Sequence, residues 1–250
     1  MRFFDCNVFI GQPMRPELLL PAATAETLLA EMDRAGVERA LVWHIAQHDT
    51  SVQEGNRLLG EAIRLHPRLV GCWALLPAHT RELPPPEAFF RAMREANVRA
   101  LRIFPSAHGY LANAVALGEW LTPLAARRIP LLVSVKRGLD WPGVYSLLAD
   151  CPTLTCIICD HGCWGQDRYF RPLLARYPNV YIDSAQYFLD GGLEALVSDY
   201  GAHRLLFGSG FPESHFGGMM LALRHARIPE EAKAAIAWGN LERLLEEEAL

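Results

Sequence analysis

Among the side chains able to do chemistry, His161 draws attention first. It closes the apolar run CIICD just before Gly162. An imidazole there can act as a general base near neutral pH, ligate a metal, or sit buried and hydrogen-bonded. Near the start, FFDCNVFIG sets Asp5, Asn7 and Phe9 at alternate positions of a strand, hence on one face. Near the end, RLLFGSGFP places Gly210 just after another apolar run, and Glu213 and His215 come soon after it as an acid–base pair. Arg102, in RALRIFPS, offers a planar guanidinium suited to a carboxylate, with an ion pair to Asp5 or Asp183 as the structural alternative. His44 and His48, in VWHIAQHDT, either join His161 in one site or solvate a strand end as loop histidines. Lys136, in VSVKRG, binds substrate or lies exposed, and Asn7 and Ser134 are hydrogen-bonders fit to line a pocket.

The string CIICDHGC holds Cys156, Cys159, His161 and Cys163 within eight residues and invites a zinc reading. Strand alternation argues against it, because Cys159 and His161 share a face while Cys156 faces the other way. Buried structural cysteine is the simpler reading, with Cys163 the one thiol past the strand end. Asp160 alternates away from His161 in a regular strand and reads as a helix-facing or turn carboxylate.

These residues need a scaffold, and the chain supplies one. Its 250 residues are 51% hydrophobic and 21% charged, enough for a single buried core. Net charge is -4 with no Lys/Arg cluster, which excludes nucleic acid and membrane surfaces as partners. There is no run of about 18 apolar residues and no charged leader before an apolar segment, so a cytoplasmic protein with reduced thiols is expected. Eight apolar runs of strand length alternate with amphipathic segments: RFFDCNVF, RALVWHIA, LVGCWALLP, RALRIFPS, IPLLVSVK, TCIICDHG, VYIDSAQYF and LLFGSGFP. Thr24 is placed to cap the helix after it and Gly36 to end that helix, and Pro86 opens another. Eight such units predict a (β/α)₈ TIM barrel forming one domain over residues 1–250, with functional side chains at the carboxyl ends of the strands. A doubly wound sheet would want a Gly-rich turn after the first strand, which FIGQPMRP does not provide.

On these segments the chain resembles the amidohydrolase superfamily, specifically the amidohydrolase-2 group of metal-dependent barrel hydrolases and decarboxylases. FFDCNVFIG is similar to that group's opening D-x-H-x-H strand and CIICDHG to the strand that supplies a histidine. NVYIDSA, RLLFGSGFP and WGNLERLL are similar to its later segments. The resemblance implies a divalent metal, zinc in the usual case, that activates water or polarises a substrate while an aspartate moves protons. Position by position, the first-strand histidines correspond to Asn7 and Phe9, the fifth-strand histidine falls near Ser134, and the terminal aspartate falls on Gly210. His161 is the one ligand position retained, so the usual ligand set is absent and the cofactor is left open.

Two functions are therefore expected. One is an amidohydrolase-type hydrolase or carboxy-lyase acting on a small carbonyl or carboxylate compound through a reduced or relocated site. His161, Arg102, Glu213 and His215 are then its catalytic candidates, and Asn7, His44, His48, Ser134 and Lys136 its substrate-binding ones. The alternative is a non-catalytic barrel that binds a small molecule or associates with a partner. A homodimer is compatible with either.

Overall fold

The computed structural model describes residues 1–14 and 24–248. Eight parallel strands keep the chain order around one sheet: β1 Phe4–Ile10, β2 Arg39–His44, β3 Leu69–Ala74, β4 Val98–Ile103, β5 Leu131–Ser134, β6 Cys156–Cys159, β7 Val180–Asp183 and β8 Leu205–Leu206. The ring closes where the Cys6 amide donates to the Phe207 carbonyl (2.9 Å) and the Phe9 amide to that of Phe211 (3.1 Å). All eight expected strands form, and helices connect them as a TIM barrel requires. Thr24 caps helix Ala25–Ala35 through a reciprocal bond with Thr27, and Gly36 ends it at φ 80°. Among the described residues, no helix is long and apolar enough to cross a membrane.

Alternation along the strands divides the apolar side chains into two cores. On β5 and β6, Leu131, Val133, Cys156 and Ile158 face the surrounding helices, whereas Leu132, Ile157 and Cys159 fill the barrel. Cys156 thus lies on the helix side, as its strand position suggests. The floor of the barrel is plugged from the C-terminal helix Asn240–Glu246 and by Trp238, whose ring lies 5.4 Å from that of Phe4. With the floor plugged, the strand ends opposite remain as the face for a site.

Two departures from regular strand geometry shape that face. In β1 the pairing with β2 shifts between Asp5 and Val8. The cause is local: the Asp5 carboxylate accepts the Asn7 backbone N–H (3.0 Å), a short-range bond that competes with the ladder and lets a bulge form. Cys6 and Phe9 consequently both face inward, with Asn7 between them also reaching the interior. The expected common face for Asp5, Asn7 and Phe9 is therefore interrupted at Asp5, which turns to accept the Ser209 amide at 3.2 Å.

The second departure is at the end of β6, where Asp160 adopts a left-handed backbone, φ 55°. Aspartate tolerates this better than most residues. One left-handed residue reverses the facing of its successors in the chain. Asp160 enters the barrel and His161 leaves it, the opposite of the arrangement expected from an unbroken strand.

Gly208, just past β8, is where backbone must pass close to side chains. A Cβ there would sit 3.0 Å from Asp183 Oδ2 and 3.2 Å from Cys6 Sγ. Because Asp183 is buried and hydrogen-bonded, it has little room to yield. Gly208→Ala should cost about 1–3 kcal/mol through overpacking, read as a lower urea midpoint with an unchanged slope. An unmoved midpoint would mean that Asp183 shifts freely.

Candidate active site

Five strand ends deliver one polar layer across the barrel mouth. Asn7 stands at its centre: its side-chain amide donates to Asp160 Oδ1 at 2.8 Å and to Asp183 Oδ2 at 3.0 Å. The Ser134 hydroxyl donates to the other Asp160 oxygen at 2.6 Å. From β4, Arg102 reaches the Asn7 amide oxygen through Nη2 at a long 3.4 Å. Asn7, Arg102, Ser134 and Asp183 are each no more than 4% exposed.

Arg102 is the unusual member. It is 1% exposed, yet its Nε and Nη1 have no hydrogen-bond partner and it forms no ion pair among the described residues. Its guanidinium lies 4.4 Å from the Trp43 ring centroid and 5.5 Å from that of Phe104, contacts that hold the plane but satisfy no N–H donor. The structural alternative, an ion pair with Asp5 or Asp183, does not form. A buried cation with free donors is costly unless something anionic completes it.

The acids are displaced in the complementary direction. Burial, reinforced by the charge of Asp160, pushes the Asp183 carboxyl well above the usual carboxylate range, and Asp183 Oδ1 is a second unpaired buried atom. Burial raises Asp5 to about 7 even though the hydrogen bonds from Ser209 and Asn7 pull it down. Both shifts favour the protonated carboxyl, while Asn7 keeps Asp160 and Asp183 within reach of one another.

His161 is buried behind this layer. Its Nε2 lies 2.9 Å from the Asp183 backbone carbonyl and its Nδ1 2.8 Å from that of Gly162, and its ring packs 4.8 Å from Phe170 and 5.6 Å from Tyr187. Burial lowers its pKa. Both nitrogens face main-chain carbonyls, and the neutral ring that burial favours donates to one of them, so His161 braces the β6 and β7 ends; its nearest side-chain partner in the layer is Asp183 Oδ1, 3.9 Å away.

The other sequence candidates lie above or beside the layer. His44 accepts the Ala46 amide at 3.1 Å, and His48 pairs with Asp49 at 2.6 Å while packing edge-on against Phe104. Neither meets His161 through a hydrogen bond. Lys136 is exposed and pairs with Glu213 at 2.9 Å. Burial would raise Glu213, but Lys136 and Arg137 override it and hold the carboxylate below its ordinary value. His215 is exposed at the start of helix Phe216–His225 and makes no capping bond. Cys163 is half-buried.

Sequence reasoning underweighted Asp160, Asp183 and Arg137. Asp183 was visible at a strand end, but Asp160 required a left-handed residue that alternation cannot announce. The placement of Asp just before His-Gly, where a strand must turn, was the available signal. Among the described residues, no three His, Cys, Asp or Glu side chains are grouped to hold a metal ion.

The chain matches the family model described as Amidohydrolase over residues 11–246. Its structure is similar to an uncharacterised TIM-barrel protein from Bordetella bronchiseptica, at 19% identity and TM-score 0.76, covering 99% of each chain. It is similar to 2,6-dihydroxybenzoate decarboxylase from Rhizobium, at 16% identity and TM-score 0.73, covering 98% of each. It also resembles a putative 2-pyrone-4,6-dicarboxylic acid hydrolase from Pseudomonas putida, at 18% identity and TM-score 0.70, covering 99% of this chain and 98% of that one. No curated protein matches the chain.

The raised acids predict a direction for stability against pH. A carboxyl that titrates near 7 when folded and near 4 when unfolded binds more protons in the folded state between those values, so its contribution falls as pH rises through the window. Urea unfolding should show a more stable protein at pH 5 than at pH 8. Asp5→Asn should flatten that difference, and an unchanged slope in the variant would remove Asp5 as its source.

Proposed function

Because the chain belongs to the amidohydrolase family, we propose that it is a hydrolase or carboxy-lyase for a small carbonyl compound bearing a carboxylate. Arg102 anchors that carboxylate and Asp160 and Asp183 manage the proton. The observation that carries this reading is the wholly buried Arg102 guanidinium with two unpaired nitrogen donors. A planar carboxylate supplies the acceptors these donors lack. Two of the structural relatives carry names that specify carboxylate-bearing substrates, 2,6-dihydroxybenzoate and 2-pyrone-4,6-dicarboxylic acid, which fits the same chemistry.

The residues at the family's metal positions do not suit a divalent ion. Asn7 turns its amide nitrogen, not its oxygen, toward the two carboxylates, Phe9 packs against Trp43 at 5.0 Å, and Gly210 has no side chain. His161 turns both nitrogens toward backbone carbonyls, away from the layer. The sequence suggests Glu213 or His215 as a replacement for the acid missing at Gly210. The layer instead offers Asp183, buried, with its carboxyl pushed well above the usual carboxylate range and one oxygen without a hydrogen bond, as the proton donor.

In the carboxy-lyase form, the bond between substrate carbon and carboxyl carbon breaks, CO₂ leaves, and the Asp183 proton moves to the carbon that receives the electron pair. In the hydrolase form, Asp160 takes a proton from the attacking water and Asp183 gives one to the leaving atom, so the pair exchanges roles and the proton count is conserved. Asn7 holds the two carboxyls in register in both forms. His161 is a positioning residue that acts through the Asp183 main chain.

The test is calorimetric titration with benzoate as a simple planar carboxylate. Wild type should bind it, and Arg102→Met should weaken binding at least 100-fold, the scale of about 3 kcal/mol expected on deleting a buried charged partner. The same variant should unfold at equal or higher urea concentration, because it removes unsatisfied buried donors. Equal affinity in Arg102→Met would sink the anchor role. Benzoate binding without conversion of any carboxylate in a substrate screen would favour the non-catalytic barrel. Plasma mass spectrometry of the dialysed protein should find well under one divalent metal per chain.

A further inference from the structure

Above the polar layer, aromatic rings cover the mouth and ion pairs cross it. Phe9, Trp43 and Phe104, each no more than 3% exposed, form an aromatic roof with neighbouring ring centroids 5.0 and 5.2 Å apart. Arg137 lies over that roof, its guanidinium 5.1 Å from the Phe9 centroid and 5.5 Å from that of Trp43. Glu213 then ties this arginine across the mouth: it pairs with Arg137 Nη2 at 2.6 Å and with Lys136 Nζ at 2.9 Å. Lys136 and Arg137 belong to the loop after β5, whereas Glu213 belongs to the segment after β8. The two ion pairs are the bridge between those segments.

Both segments are held from below; after β8 the Ser214 amide donates to the Gly210 carbonyl (3.2 Å) and Gln186 Nε2 to Ser214 Oγ (3.3 Å). The β5 loop is anchored below, where the Arg137 amide donates to the Ser134 hydroxyl (3.1 Å) and the Ser106 amide to the Gly138 carbonyl (3.0 Å). Gly138 packs so tightly that a Cβ would fall 2.7 Å from Phe104 Cα. The Lys136–Glu213 pair is partly open to water, its side chains 47% and 31% exposed, while Arg137 is largely covered at 14%. Such pairs are individually weak and screened by salt. A bridge of ion pairs with one wet member, set over a dry site, suits a part that opens.

We propose that Glu213, Lys136 and Arg137 form an ionic latch that controls entry to the barrel mouth. When Glu213 lets go, Arg137 lifts from Phe9 and Trp43 and uncovers the layer that holds Arg102. Two cations left without their carboxylate then face an arriving anion first. This deepens the carboxylate-anchor reading in what it says passes the latch, while the latch itself stands on the ion pairs and the roof.

The experiment is residue-resolved iodoacetamide labelling of the intact protein at fixed pH, read by peptide mass spectrometry. Cys72 lies inside the barrel and reports on the mouth; Cys156 lies between the barrel wall and the helices and reports on general loosening. Glu213→Gln should label Cys72 at least fivefold faster than wild type with Cys156 unchanged. Raising KCl from 20 to 500 mM should speed Cys72 in wild type and leave the variant unmoved. An unaltered Cys72 rate in Glu213→Gln, a parallel rise at Cys156, or equal salt response in both proteins overturns the latch. Benzoate should protect Cys72 in the variant; a working latch without that protection would instead sink Arg102 as the anchor.

Discussion

One side-chain amide holds the functional end of this barrel together. Asn7 gives one hydrogen to the buried carboxyl of Asp183 and the other to the partly buried carboxyl of Asp160. Because both of its amide hydrogens are committed, its oxygen is left to face Arg102, and that contact is long. The consequence spreads outward. Burial, with Asp160 near, pushes the Asp183 carboxyl well above the usual carboxylate range, and Arg102 is left without a carboxylate because the acids are already engaged. The bulge in β1, set by the Asp5 bond to the Asn7 backbone, aims the amide at this point.

The layer is a balance between charges that cannot all be satisfied internally. Three carboxyls and one guanidinium share a small volume, yet the guanidinium keeps two free donors and Asp183 keeps a free acceptor. A barrel whose polar layer served only to stabilise the fold would be expected to pair those atoms with one another. Their separation leaves donors and an acceptor at the mouth that the fold itself does not use. The geometry distinguishes the roles of two histidine candidates as well: His161 braces main chain, and His48 is taken by Asp49.

The fold was largely legible in the sequence because it rests on signals that add along the chain. Eight apolar runs at regular intervals, Thr24 and Gly36 at the two ends of a helix, and Pro86 in a first turn each depend on near neighbours alone. Arg102, Asn7 and Ser134 were legible as site residues for the same reason, since local patterning is enough to place them at strand ends. The site went astray where one residue broke the alternation. At Asp160 a single left-handed backbone exchanged the facing of two neighbours, and pattern reasoning had assigned the inward place to His161. The clasp at Glu213 was also hidden, because Lys136 lies 77 residues away along the chain and meets it only across the mouth.

The separation of the two cores bears on how such a protein can change. The leucines, isoleucines and valines that fasten helices to the barrel wall occupy the outer layer, while the polar mouth belongs to the inner one. Side chains at the strand ends can then be exchanged without asking the helices to repack. Histidine can give way to asparagine or phenylalanine, and an acid can move from one strand end to another, while the architecture persists. In that sense the barrel behaves as a mount with interchangeable fittings, and its chemistry is free to wander further than its shape.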